Sequence, residues 1–265
     1  MIRALFLRNL RHHAVPLAAA SAGLFLFELL LVWVAARLDT GPGLRQFLEA
    51  LLPPDVRDVI FGQLGLASFS GAVSFGLQHP FTMVGAIAMV VTAATVPAAE
   101  RETGYLDLIL GRPVPRWRYL TAVALLVAFA SLLLPGALLG GAAAGISLVD
   151  APGELPWTRY APAAAGLALL LLCVGAYTLL LATDARRRGV AVGRAVAFTL
   201  AFYWMDFMGA YWDVLVHARR MSPFHYLDPA GAVESGLSAG HVLALAGATV
   251  ALGVAAFWSF RRQDL

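Results

Sequence analysis

Long apolar runs, separated by short arginine-rich or proline-rich segments, set the pattern of this chain. Six runs are long enough to cross about 30 Å of hydrocarbon at about 1.5 Å per residue. They lie near residues 14–36, 81–99, 119–143, 160–183, 191–212 and 241–259. Pro135 interrupts the third, which a membrane helix tolerates when its neighbours satisfy the freed carbonyl. Gly136, Gly140, Gly141 and Gly145 put small residues at helical spacing in the same run. That spacing suits a close helix interface, or reflects a general enrichment in small residues. Ahead of the first run, Ile2, Leu5, Phe6 and Leu10 alternate with Arg3, Arg8 and Arg11. The alternation predicts an interfacial elbow helix over 1–13; a plain positively charged flank is the simpler reading. The run from Ala14 to Ala36 exceeds the roughly 7–15 apolar residues of a signal peptide, so it reads as a retained span.

Between the spans, residues 38–80 and 213–240 read as outer segments. LRQFLEALLPPDVRDV predicts two short amphipathic helices around Pro53-Pro54, and residues 59–79 are long enough to span but rich in Gly and Ser. Charge decides against a seventh span. With six spans and the N-terminus inside, thirteen arginines fall on inner segments, including Arg3, Arg8, Arg11, Arg101, Arg112, Arg116 and Arg186–Arg188. Only Arg37, Arg45, Arg57, Arg159, Arg219 and Arg220 fall outside, as the positive-inside rule requires. The expectation is therefore an all-α polytopic membrane protein in the cell membrane, with both termini cytoplasmic. It has six transmembrane helices, an elbow helix and short outer-loop helices, forming one transmembrane domain over 1–265.

Composition narrows the function. The chain is 60% hydrophobic and 13% charged, against about 25% charged in a soluble domain. All 19 basic residues are arginine. A P-loop needs a lysine on the phosphates, so a standard one is excluded and any ATP must bind a separate subunit. The arginines gather at span ends, which excludes nucleic acid as the partner of a chain with net charge +3. Cys173 lies in an apolar run and reads as a small buried residue. His12-His13 and the scattered His79, His217, His225 and His241 lack metal-ligand spacing, and no catalytic motif appears. The expectation is no metal and no cofactor in this chain.

Two sets of residues stand out. Residues 98–118 form a short charged segment between two spans. Glu100, Arg101 and Glu102 read as the first turn of its helix, where a helix dipole favours acids. Tyr105, Leu108 and Ile109 follow at i, i+3 and i+4 as one apolar face, and Pro113 and Pro115 end it. Such an element docks into a groove on a partner at the membrane surface. The second set is acidic. Glu28 and Asp206 lie within spans, where facing lipid as ions costs about 2.5–3.5 kcal/mol or more each. Both are expected at equal depth. Tyr203, Asp206, Ala210 and Asp213 share one face of the fifth helix, which marks a candidate pathway. The simpler reading has each acid hydrogen-bonding a neighbouring helix.

Glu100, Glu102, Gly104, Leu106, Leu108, Leu110, Pro113 and Arg116 resemble, in this order, the cytoplasmic coupling segment of permease subunits of type-2 ABC exporters. Tyr105 stands where that family usually has Thr, and Pro115 where it often has Ser. The outer run SPFHYLDPA (222–230) and the end FRRQDL (260–265) are similar to the family as well. The resemblance implies a coupling site of Glu100, Arg101, Glu102, Gly104, Tyr105, Leu108, Ile109 and Arg112. It also implies two copies of an ABC ATPase subunit carrying ATP and magnesium, and a second copy of this permease or a similar one, all among membrane lipids. Amphipathic or lipid-like compounds are the implied substrates. The competing expectation is an ATPase-independent transporter, or an intramembrane enzyme using Glu28 and Asp206.

Overall fold

The computed structural model describes residues 1–39, 69–111, 115–149 and 156–262. The two helices expected around Pro53-Pro54, together with Arg112 and Pro113, lie outside the described residues. Helix α1 runs Ile2–Asp39. A short α2 (Phe69–Gly76) is followed by α3 (Pro80–Ala94), α4 (Val96–Glu102) and α5 (Tyr105–Leu110). Then come α6 (Arg116–Leu148), α7 (Ala161–Asp184), α8 (Arg188–Gly209), α9 (Val216–Arg219), α10 (Pro229–Ser235) and α11 (Ala239–Arg262). Six helical stretches are long and apolar enough to cross a membrane: Ile2–Ala36, Phe69–Ala94, Arg116–Leu148, Trp157–Asp184, Arg188–Gly209 and Ala239–Arg262. The protein is an all-α, multi-pass membrane protein.

Helix α7 is the centre of the bundle and packs against α11, α6, α3 and α8. It is apolar on every side, with Leu167, Leu170, Leu171 and Val174 fully buried. On the outer helices, Phe198, Leu200, Trp204 and Phe207 of α8 and Leu243, Val250, Val254 and Trp258 of α11 are exposed. An apolar surface of that extent faces lipid or another protein, not water. Helices α1 and α6 share the largest helix–helix contact. The glycine stripe is the reason. A Cβ at Gly141 would overlap the Phe25 carbonyl, and one at Gly145 would lie 2.7 Å from Val32 Cβ. Gly136 makes no such approach.

Four details differ from the sequence expectation. The elbow over 1–13 is not a separate helix but the first turns of α1, because no residue there breaks the helix; Pro16 lies inside it. Its Phe6 meets Phe129 of α6 edge-on at 6.3 Å. Second, residues 69–76 are helical and lengthen the second apolar stretch: Phe69 and Val73 belong to the core and α2 packs on α1. Third, the second span stops at Ala94 rather than 99. The Thr95 hydroxyl bonds back to the Val91 carbonyl at 2.9 Å, and Pro97 lacks the N–H that would continue the ladder. Fourth, α8 stops at Gly209, short of the expected 212. The chain folds back so closely that a Cβ there would lie 2.7 Å from Arg219 Cβ.

Candidate coupling face and buried acids

One polar layer ties the ends of the spans together. Glu100 accepts from Arg8 of α1 through Oε1 and from the Tyr119 hydroxyl of α6 through Oε2, the latter at 2.5 Å. Arg101 Nη1 donates to the carbonyls of Thr183 (2.6 Å) and Ala185 (3.0 Å) at the end of α7. Glu102 accepts from the Arg188 backbone N–H at the start of α8, at 2.9 Å. Arg116 reaches the Arg261 carbonyl at 3.4 Å, and Tyr119 stacks on Phe260 at 5.8 Å. The first turns of α1 and the last turn of α11 therefore lie at the same end of the bundle.

The charged residues do not open a helix, as expected from sequence; they close α4. Thr103 Oγ1 bonds back to the carbonyls of Ala99 and Glu100, and Gly104 adopts φ 71°, a left-handed conformation that favours glycine. Helix α5 begins afresh beyond it. Leu106 is the anchor, fully buried, whereas Leu108 is 70% and Tyr105 44% exposed, and Ile109 is half-buried. Arg8 lies over the Tyr105 ring at 5.3 Å. The structure thus brings Glu100, Arg101 and Glu102 into internal contacts and leaves the Tyr105–Leu108 face outward.

The two intramembrane acids are not brought together. Glu28 is 1% exposed among Val73, Leu77, Leu138, Leu139, Ala142 and Tyr160, with no residue of α8 beside it. A Cβ at Gly76 would overlap its carboxyl, and neither oxygen has a hydrogen-bond partner among the described residues. Asp206 instead accepts from Arg219 Nε at 2.7 Å and lies 3.8 Å from His225 Nδ1. Burial, then the Arg219 guanidinium, lowers the His225 pKa, while Asp206 pulls the other way. Tyr203 meets Phe224 edge-on at 5.7 Å. Because α8 ends at Gly209, Ala210 caps it and Asp213 begins a separate turn, so the expected polar face is cut short.

Asp206 is thus a fastener for the returning segment 213–226. The Ser222 hydroxyl adds a bond to the Phe202 carbonyl at 2.8 Å, and the Tyr226 hydroxyl one to the Arg220 carbonyl at 2.7 Å. Asp206→Asn is expected to loosen that segment by ~1 kcal/mol. Limited trypsin digestion should then cut after Arg219 and Arg220 several-fold faster, with cleavage elsewhere unchanged; an unchanged rate would remove the fastening role.

Sequence reasoning missed the partners. Arg8 and Arg188 were legible only as charges at span ends, and Tyr119 carried no signal. Glu100 lies 92 residues from Arg8, and no local spacing reports such a pairing.

No curated protein and no solved structure matches this chain. One family model does, over residues 8–261, which takes in every described helix apart from the extreme turns of α1 and α11. The chain is a multi-pass membrane permease and belongs to the family described as "Multidrug efflux system permease Rv1217c, C-terminal domain".

Proposed function

We propose that this chain is the membrane-spanning subunit of an ATP-driven exporter of the type-2 ABC class, and that it moves amphipathic, drug-like compounds outward. The observation that carries the reading is α5. It is a short helix between two spans, at the arginine-rich end, fixed by buried Leu106 and by the α4 contacts, yet leaving Leu108 and Tyr105 exposed. The chain has no lysine and so no P-loop, which puts ATP on a partner subunit. The family's printed description supports efflux of several drugs. In this reading two ATPase subunits, loaded with ATP and magnesium, seat beneath two permease copies. Their closure moves α5 and α4, and the spans switch between two packings. The arginine-rich end is then the cytoplasmic one, with both termini there.

A second reading, transport without an ATPase, is favoured by the buried Glu28 carboxyl, which has no hydrogen-bond partner among the described residues. One set of variants separates the two. In a Cys173→Ala background, Leu108→Cys is expected to cross-link to a co-expressed ATPase subunit. Leu108→Asp is expected to cut ATP-dependent dye efflux from proteoliposomes at least tenfold while the permease stays monodisperse. Efflux driven by an ion gradient in the absence of the ATPase, with Leu108→Asp fully active, would overturn the proposal.

A further inference from the structure

At the arginine-rich end, α1, α4, Tyr105 of α5 and the first residue of α8 line a cleft of about 330 Å³. The turns of α1 on its wall are those just before the apolar run from Ala14. Val96 and Ala99, also on the wall, follow the end of α3, and Arg188 opens α8. Three span ends therefore meet here, where a bilayer crossed by these helices would place its headgroups. The volume is of the size that holds a small ligand.

The wall is rich in donors. Arg8 donates to Asn9 Oδ1 from Nε (3.1 Å) and Nη2 (2.7 Å), which fixes the amide orientation. Asn9 is 4% exposed, and its Nδ2 has no partner among the described residues. A buried amide left without an acceptor is destabilising, so an acceptor oxygen brought within its reach is favoured there. The Arg188 guanidinium is exposed and meets no acid among the described residues. The one acid on the wall, Glu100, is already engaged by Arg8 and by Tyr119. His13 Nδ1 is committed to the Asn9 carbonyl at 2.8 Å, which holds that turn of α1 in place. The pattern is a cationic, donor-bearing cleft with an apolar side formed by Val96 and Ala99.

We propose that this cleft binds the phosphate of an anionic membrane lipid, with Asn9 Nδ2 and the Arg188 guanidinium as donors and the glycerol backbone against Val96 and Ala99. A phosphate ester supplies the acceptor oxygens that Asn9 lacks and the charge that Arg188 lacks. Basic pockets between spans on the cytoplasmic side suit such headgroups. A zwitterionic lipid carries its own cation and would set it against Arg188. Tyr105 of α5 also lines the cleft, so the test below uses the permease alone, without an ATPase.

The test uses delipidated, detergent-purified full-length permease, with binding followed by native mass spectrometry and by thermal shift. Mixed micelles containing phosphatidylglycerol should raise the unfolding temperature and give bound-lipid peaks, and phosphatidylcholine should not. Asn9→Asp keeps the oxygen that Arg8 contacts but replaces the donor by an acceptor. It should weaken phosphatidylglycerol binding at least tenfold. Arg188→Gln leaves the backbone N–H on Glu102 and alters only an exposed side chain; it should weaken binding similarly without loss of fold. Equal effects of the two lipids, or unchanged affinity in Arg188→Gln, would overturn the site. If millimolar inorganic phosphate alone reproduces the full shift, the occupant is a free anion and the lipid assignment is lost.

Discussion

Gly141→Ala is expected to abolish the folded permease, whereas Gly136→Ala, five residues earlier on the same helix, is expected to be neutral or slightly stabilising. The chemistry of the two changes is identical, and each adds one methyl group. At Gly141 that methyl would overlap the backbone carbonyl of Phe25 and sit 3.1 Å from Glu28 Cβ. A backbone carbonyl inside a helix cannot rotate away, so α1 and α6 would have to separate along their whole contact, including the Gly145–Val32 approach. Overpacking of cores ordinarily costs about 1–3 kcal/mol, and a backbone clash at the largest helix interface belongs at or above the top of that range. At Gly136 nothing lies within 4 Å, and alanine in place of glycine favours a helix by roughly 0.8–1 kcal/mol. Yield of monodisperse protein and the unfolding temperature in detergent report both. Normal yield of Gly141→Ala would mean that the two helices are not packed as described.

Glu100→Arg should be nearly as damaging, and for a reason unconnected with any partner protein. The Glu100 side chain is 15% exposed and joins α4 to α1 through Arg8 and to α6 through the Tyr119 hydroxyl. The change puts two guanidinium groups against one another and leaves the Tyr119 hydroxyl without its acceptor. Breaking a largely buried ion pair costs about 3–5 kcal/mol, and the partial exposure of Arg8 places this case near the lower figure. Adding Arg8→Glu restores an ion pair of opposite sense, so the double exchange should recover part of the unfolding temperature; recovery stays incomplete because Tyr119 keeps no carboxylate. If the double variant is no more stable than Glu100→Arg alone, the Arg8–Glu100 contact does not form. Glu102→Arg, on an exposed residue bonded to one backbone N–H, should cost far less. The contrast separates Glu100 as a structural acid from a role in docking.

The spans were legible because twenty apolar residues in a row have few alternatives, and the arginines at their ends gave the turns. The glycine spacing offered a close helix interface as one of two readings; Gly141 and Gly145 make that contact with α1, and Gly136 does not. The coupling segment was legible as an element but not in its parts. Thr103-Gly104 holds a helix end that the apolar period of Tyr105, Leu108 and Ile109 runs straight across. Leu106, off that face, is the residue that buries. Equal depth along two spans put Glu28 and Asp206 side by side on paper. Depth says nothing about azimuth, and the two acids face different neighbours.

Arg101 and Glu102 are consecutive residues, yet they hold opposite helix ends: a cation on the final carbonyls of α7, an anion on the first N–H of α8. Each charge matches the partial charge of the helix terminus it touches, so the grip has a polarity and exchanging the two residues would invert both halves. The same two residues hold both flanks of the short stretch 185–187 against the end of α4, so the fourth and fifth spans are fixed to α4 at a single joint.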